Sequence, residues 1–259
     1  DSKYFAYIYT LMEVYVKNYR KNTCGILEFK NPAGNSLQSN SLKEIQKNLL
    51  ELESDNQVKV IIFQSVGSSA FCGGASLKEM KKLRDLEQAT QFFMGFADVI
   101  NTLRSLSKFV IARVHGKVVG GGVGLVAACD YAIATKNAYS KLSELSIGIG
   151  PYVIEPVVSR RIGITAFSQL SIDAENWKSS DWSVNRGLFS EVVENENELN
   201  NKLDEITNRI SSYSPNAVKN LKKLYWKNTD HWDTLLPKNA EITARLVLEE
   251  AAQKILKNL

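Results

Sequence analysis

The apolar positions of this chain switch repeatedly between two periods. Val58 to Gln64, Phe109 to Val114 and Tyr131 to Thr135 are short, nearly continuous apolar runs rich in β-branched and aromatic residues, the pattern of strands covered on both faces. Ser39 to Ser54 instead carries Leu42, Ile45, Leu49, Leu50 and Leu52, mostly at helical spacing, and further helices are predicted over Leu77 to Arg84 and Gln88 to Leu106. Glu13 to Asn18 and Gly25 to Phe29 predict an opening hairpin, followed by a turn over Asn31-Pro32-Ala33-Gly34-Asn35. Strand, small-residue turn and helix, repeated in this way, predict a mainly parallel α/β core. Beyond about residue 195 the strand pattern stops. Glu198 to Ser212, Asn216 to Trp226 and about Lys238 to Leu256 read as helices, the second introduced by Ser214-Pro215 with proline in its first turn. The chain therefore divides into a core over 1–195 and a helical region over 196–259.

Two of the turns carry candidate chemistry. In Val118-Val119-Gly120-Gly121-Gly122-Val123-Gly124-Leu125, three consecutive glycines interrupt a β-prone run and lead into small residues of good helix propensity. Backbone N–H groups in such a turn can approach a ligand closely, and the helix that follows adds donors and partial positive charge at the same spot. A second cluster, Ala70-Phe71-Cys72-Gly73-Gly74-Ala75-Ser76, follows the Val58 strand and places Ser76 as an N-cap. One N–H from each turn, aimed at one carbonyl oxygen, would make an oxyanion site. Taken singly, either turn also fits mere close packing of a strand on a helix. The spacing lacks the full Gly-x-Gly-x-x-Gly pattern of a dinucleotide site.

Three segments in register resemble the crotonase, or enoyl-CoA hydratase/isomerase, superfamily. They are Phe71 to Met80, Val114-His115-Gly116 leading into Gly120 to Asp130, and Ser143-Glu144-Leu145-Ser146-Ile147-Gly148-Ile149-Gly150-Pro151. The resemblance spans about Val14 to Asn228. It implies an α/β fold with a ββα-spiral core and a C-terminal helical trimerisation region, an acyl-CoA thioester as partner, and a homotrimer or dimer of trimers. It places the oxyanion donors at the backbone N–H groups of Ala75 and Gly121, where a side chain at Gly121 is expected to crowd the thioester. Substrate contacts are implied at Ala33, Ser36, Gly74, Ser76, Leu77 and Gly120; Ser76 stands where many relatives carry Asp.

Family hydratases of the two-carboxylate type have one Glu shortly after the triple glycine and another in the later motif. Here the first position is Gly124, and the second is Glu144. A lone carboxylate beside an apolar acyl pocket has its pKa raised by desolvation and serves as both acid and base. Glu155 is a second candidate carboxylate, with a charge at a helix start as the plainer reading. Gly124, Ser143-Glu144 and the Pro151 to Gly163 stretch look most like bacterial methylglutaconyl-CoA hydratases. The implied activity is reversible syn hydration of a 2-enoyl-CoA of branched or methylglutaconyl type. An isomerase, a decarboxylase or a degenerate acyl-CoA-binding member are the alternatives.

Composition changes this picture little. Hydrophobic residues make up 44% and charged residues 23% of the 259, ordinary for a globular protein. No apolar run approaches a membrane span, and no charged-then-apolar leader is evident, so a cytoplasmic location without membrane partners is expected. The net charge of +4 is mild and gives little support to a nucleic-acid partner; Lys219-Asn220-Leu221-Lys222-Lys223 reads as a solvated helix face, and Lys78, Lys81 and Lys82 as solubilising, with phosphate contacts as the alternative. Cys24, Cys72 and Cys129 lack metal-ligand spacing and are expected to be reduced, with Cys72 a packing residue and not a nucleophile. His115 and His231 do not form a plausible metal pair, and His115 is expected to be structural. No metal or separate cofactor is expected, since backbone dipoles polarise the carbonyl and CoA is part of the substrate.

Overall fold

A computed structural model describes residues 13–67 and 70–259; residues 1–12 of the predicted core region lie outside it. Strands β1 (Tyr15–Lys21) and β2 (Cys24–Lys30) form the expected hairpin. To it are added, all parallel, β3 (Val60–Ser65), β5 (Phe109–Val114), β7 (Tyr131–Thr135) and β9 (Glu191–Val193), in the order β1-β2-β3-β5-β7-β9. A second sheet of three short parallel strands, β4 (Ala70–Cys72), β6 (Lys117–Val119) and β8 (Ser140–Lys141), has the order β4-β6-β8. Strands of two or three residues are too short to leave a periodic pattern, which is why none of these three was predicted. The rings of Phe29, Phe63 and Phe71, with centroids 5.4 to 6.0 Å apart, bind the two sheets together.

Helix α1 (Ser39–Ser54) buries Leu42, Ile45, Leu49 and Leu52 of the predicted stripe, while Leu50, off the helical period of the others, is exposed. Helix α2 (Leu77–Met80) is shorter than its prediction. The guanidinium of Arg84 donates to the carbonyls of Lys81 and Leu83, which a continuing helix would use, and Asp85 then caps α3 (Leu86–Ser105) by accepting from Gln88 N–H. Helix α4 (Gly121–Ala128) is buried along nearly all its length. Helix α5 (Glu155–Ile172), kinked at Gly163, was not assigned by periodicity; α6 (Ser180–Asn185) follows it.

The C-terminal helices return onto this core. Helix α7 (Glu196–Ser211), capped by Asn195, lays Leu199, Leu203 and Ile210 over the Ile26, Ile62, Ile111 and Ile133 face of the large sheet. Helix α8 (Pro215–Tyr225) leaves Lys219 and Lys223 exposed, as expected of a solvated face, but corrects that reading for Lys222, which is 1% exposed and whose Nζ donates to Asp130 Oδ2 at 2.7 Å and to the Lys108 carbonyl at 2.8 Å. The single helix predicted over 238–256 is two, α9 (Trp232–Leu248) and α10 (Glu250–Asn258), broken at an extended Glu249. Helix α9 begins before Pro237 because Trp232 and Leu236 are buried on the face that packs along α3, and that burial outweighs the backbone bond proline cannot make. Among the described residues, no helix is long and apolar enough to cross a membrane.

Candidate active site

The Gly73-Gly74 turn is fastened to the chain before α1. Leu37 N–H donates to the Gly74 carbonyl at 2.7 Å, and Ser76 N–H to the Leu37 carbonyl at 2.9 Å. These are the two bonds that a parallel bridge makes on either side of Ala75, so the N–H of Ala75 itself points away from Leu37 and stays outside that pairing. Gly74 has φ +81°, and a β-carbon there would lie 2.8 Å from the Val119 carbonyl oxygen and 3.6 Å from the nitrogen of Gly121. Only glycine lets the two turns approach this closely. Gly121 is the first residue of α4, so its N–H has no intrahelical acceptor. Both donors border one cavity of ≈ 340 Å³.

Glu144 stands on the same cavity. It follows β8, opens a 3₁₀ turn over Leu145–Ile147, and its carbonyl accepts from Ile147 and Ile149. Its Oε1 lies 2.9 Å from where a β-carbon at Gly120, which has φ +53°, would sit. Although the residue is half-buried overall, Oε2 is buried and has no hydrogen-bond partner. Burial pushes its pKa up from 4.5 to about 7. A carboxyl group at that value exchanges protons in either direction near neutrality.

The rest of the wall is mostly apolar and includes Phe93, Phe96, Ile149, Val153 and Ile154, joined at the rim by Lys141 and Trp177. Ile149 belongs to the 143–151 segment singled out by the resemblance; the others carried no local signal, because they come from loops and helices far apart in the chain. Two glycines acquire a different meaning here. A β-carbon at Gly121 would collide with the ring of Phe96, so the packing of the chain already requires glycine at that position. One at Gly124 would collide with Ile154, so an apolar side chain fills the space beside the position where the resemblance implies a first Glu.

The other predicted positions separate into two groups. Gly74 and Gly120 line the main cavity, while Ala33, Ser36 and Ser76 line an adjoining groove of ≈ 240 Å³. Gly73, Ala75 and Leu77 belong to both, so the two spaces lie on either side of this turn. Ser76 is buried and its Oγ accepts from Glu79 N–H at 3.3 Å, so the hydroxyl serves the local turn. Glu155 occupies the first turn of α5, where a negative charge is favoured, and does not line the cavity. Burial pushes the Cys72 thiol up to about 12, and a β-carbon at Gly122 would touch its Sγ; such a thiol is no nucleophile at neutral pH. His115 is buried with neither ring nitrogen hydrogen-bonded. Among the described residues, no three His, Cys, Asp or Glu side chains are grouped to hold a metal.

A sequence-family model described as enoyl-CoA hydratase/isomerase matches residues 19–257. The chain belongs to the enoyl-CoA hydratase/isomerase family. A short-chain-enoyl-CoA hydratase from Clostridium acetobutylicum is 37% identical over 186 residues, 71% of this chain and 70% of the relative. The mitochondrial methylglutaconyl-CoA hydratase of Rattus norvegicus is 38% identical over only 117 residues, 45% of this chain and 37% of the relative. An enoyl-CoA hydratase structure from Bacillus halodurans superposes with a TM-score of 0.87 at 20% identity, covering 95% of this chain and all of that one, which establishes the fold of the family. The chain thus has the family's α/β crotonase architecture with helices at its C-terminal end.

Proposed function

We propose that the chain catalyses reversible hydration of a short 2-enoyl-CoA thioester. The observation that carries this reading is the buried, unpartnered carboxyl oxygen of Glu144 on the wall of the cavity that Ala75 and Gly121 also border. Ionised Glu144 takes a proton from water as the oxygen attacks C3. The C2–C3 π electrons move toward the thioester carbonyl, whose oxygen becomes an enolate held by the Ala75 and Gly121 N–H groups, each donor worth about 3 kcal/mol in the transition state. The resulting carboxylic acid returns a proton to C2, so one water is added and Glu144 is regenerated. Because a single group delivers to one face, the addition is syn.

With Ile154 filling the space beside Gly124, Glu144 has no second carboxylate at that position to share the work. That observation favours one alternative, a proton shift between carbons of an enoyl chain without addition of water. The acyl group is proposed to be branched or of methylglutaconyl type, which the partial similarity to methylglutaconyl-CoA hydratase supports. A homotrimer or dimer of trimers is the proposed assembly. Incubation with a panel of enoyl-CoA thioesters, with products read by mass, tests the function. Hydration adds one water, isomerisation leaves the mass unchanged and decarboxylation removes carbon dioxide. A product at unchanged mass from a 3-enoyl thioester, with no water adduct from any 2-enoyl thioester, would replace hydration by the proton shift.

A further inference from the structure

Lys141 hangs one residue from the second oxyanion donor, since its carbonyl accepts from Gly120 N–H at 2.9 Å. Its Nζ sits 4.8 Å from the ring centroid of Trp177, and Lys117 Nζ lies 5.0 Å from the same ring. Trp177 is fixed there because its neighbour Lys178 exchanges both backbone bonds with Ser140, at 2.9 Å each. Lys141 and Trp177 both line the cavity that holds Glu144. Elsewhere lysines at strand or helix ends find acids, as Lys136 does with Glu194 and Lys178 with Asp173. Among the described residues, Lys117 and Lys141 form no ion pair, and Lys141 Nζ meets only the Glu175 carbonyl, at 3.5 Å. An indole face orients an ammonium without neutralising it, so a positive charge with no ion-pair partner stands at the rim of a mostly apolar cavity whose other ionisable side chain is Glu144.

We propose that Lys141, steadied by Trp177, reads a carboxylate at the far end of the acyl chain, so that the enzyme prefers an unsaturated dicarboxylic acyl thioester to an uncharged enoyl chain of equal length. The inference rests on the acyl-CoA reading above. Strand order decides which part of the ligand meets this charge. Strands β4 and β8 flank β6 on opposite sides, and the groove of Ala33, Ser36 and Lys78 opens on the β4 side. A CoA moiety laid along that groove carries its phosphates away from β8, leaving Lys141 to the acyl group. At the cavity rim, an ammonium–carboxylate contact discriminates against a chain ending in methyl, the more so as the bound ligand excludes water from it.

Glutaconyl-CoA and 2-pentenoyl-CoA have the same chain length and differ in the terminal group, so the ratio of their kcat/KM values reads the proposal directly. We expect the wild-type ratio to favour glutaconyl-CoA, to fall about ten-fold or more in Lys141→Met and to be largely retained in Lys141→Arg. The same fall is expected with N-acetylcysteamine thioesters, which lack every phosphate. A wild-type preference for pentenoyl-CoA, an equal loss on both thioesters, or an effect that vanishes with the truncated thioesters would overturn it, the last assigning Lys141 to the phosphates. If no thioester is turned over, the hydratase reading fails separately. Calorimetric Kd values of glutaconyl-CoA and pentenoyl-CoA for wild type and Lys141→Met then carry the same comparison.

Discussion

The β-carbon that position 124 lacks would fall inside Ile154, whose side chain is 3% exposed and whose Cγ2 and Cβ are its nearest neighbours. Gly124→Ala must therefore displace α4 or the start of α5. Overpacking of this kind costs about 1–3 kcal/mol, offset only in part by a gain of up to about 1 kcal/mol in helix propensity. Ile154→Ala opens the space at its own cost of about 2–5 kcal/mol. In a double-mutant cycle followed by urea unfolding, the pair is expected to be less destabilised than the sum of the single variants, and additivity would show that the two positions do not share this space.

Glu144 links activity and stability in opposite directions along the pH scale. Its folded pKa of about 7 lies above the ordinary 4.5 because burial disfavours the charge. Between those values the folded protein keeps a proton that the unfolded chain releases, so this group's contribution to stability falls as pH rises from about 4.5 to 7. Turnover that needs the carboxylate rises over the upper part of that range and levels off beyond it. Glu144→Gln is expected to lower kcat by about 10²–10⁴-fold and to gain thermal stability relative to wild type at pH 8 but not at pH 4.5. Equal Tm differences at the two pH values would mean that the carboxyl group titrates normally.

Gly74 holds the two oxyanion turns together. Gly74→Ala introduces a β-carbon 2.8 Å from the Val119 carbonyl oxygen and strains a backbone at φ +81°. Moving one donor out of line is expected to lower kcat about 10²-fold or more, with a smaller change in KM. Steady-state kinetics on the best thioester of the panel measure it, and an unchanged kcat would remove Ala75 and Gly121 as a working pair.

Lys222 and Asp130 form a buried ion pair, with side chains 1% and 6% exposed. Asp130 Oδ2 also accepts from Val110 N–H at 2.8 Å, so the pair ties α8 to the loop ahead of β7 and to β5. Lys222→Met strands a buried carboxylate and is expected to cost about 3–5 kcal/mol. Adding Asp130→Asn, which keeps an acceptor without the charge, should recover part of that loss in chemical denaturation.

The opening hairpin, the strands β3, β5 and β7, the Asn31 turn, most of the α1 stripe and both glycine turns were legible in the sequence because each depends on neighbours only a few residues away, through periodicity or through backbone freedom. Glu144 became legible by its place in a motif; its raised pKa did not, because burial is a sum over atoms from many segments. The three-stranded sheet, the break at Glu249 and the fate of Lys222 were decided by tertiary contacts. A lysine in a polar run looks solvated until the helix it sits on docks against a carboxylate 92 residues away. The same holds at the site: the sequence by itself placed one carboxylate and two amides, and only the folded chain could put Ile154 against Gly124 and Lys141 on the face of Trp177. Those are relations of volume and charge between distant residues, and no local pattern encodes them.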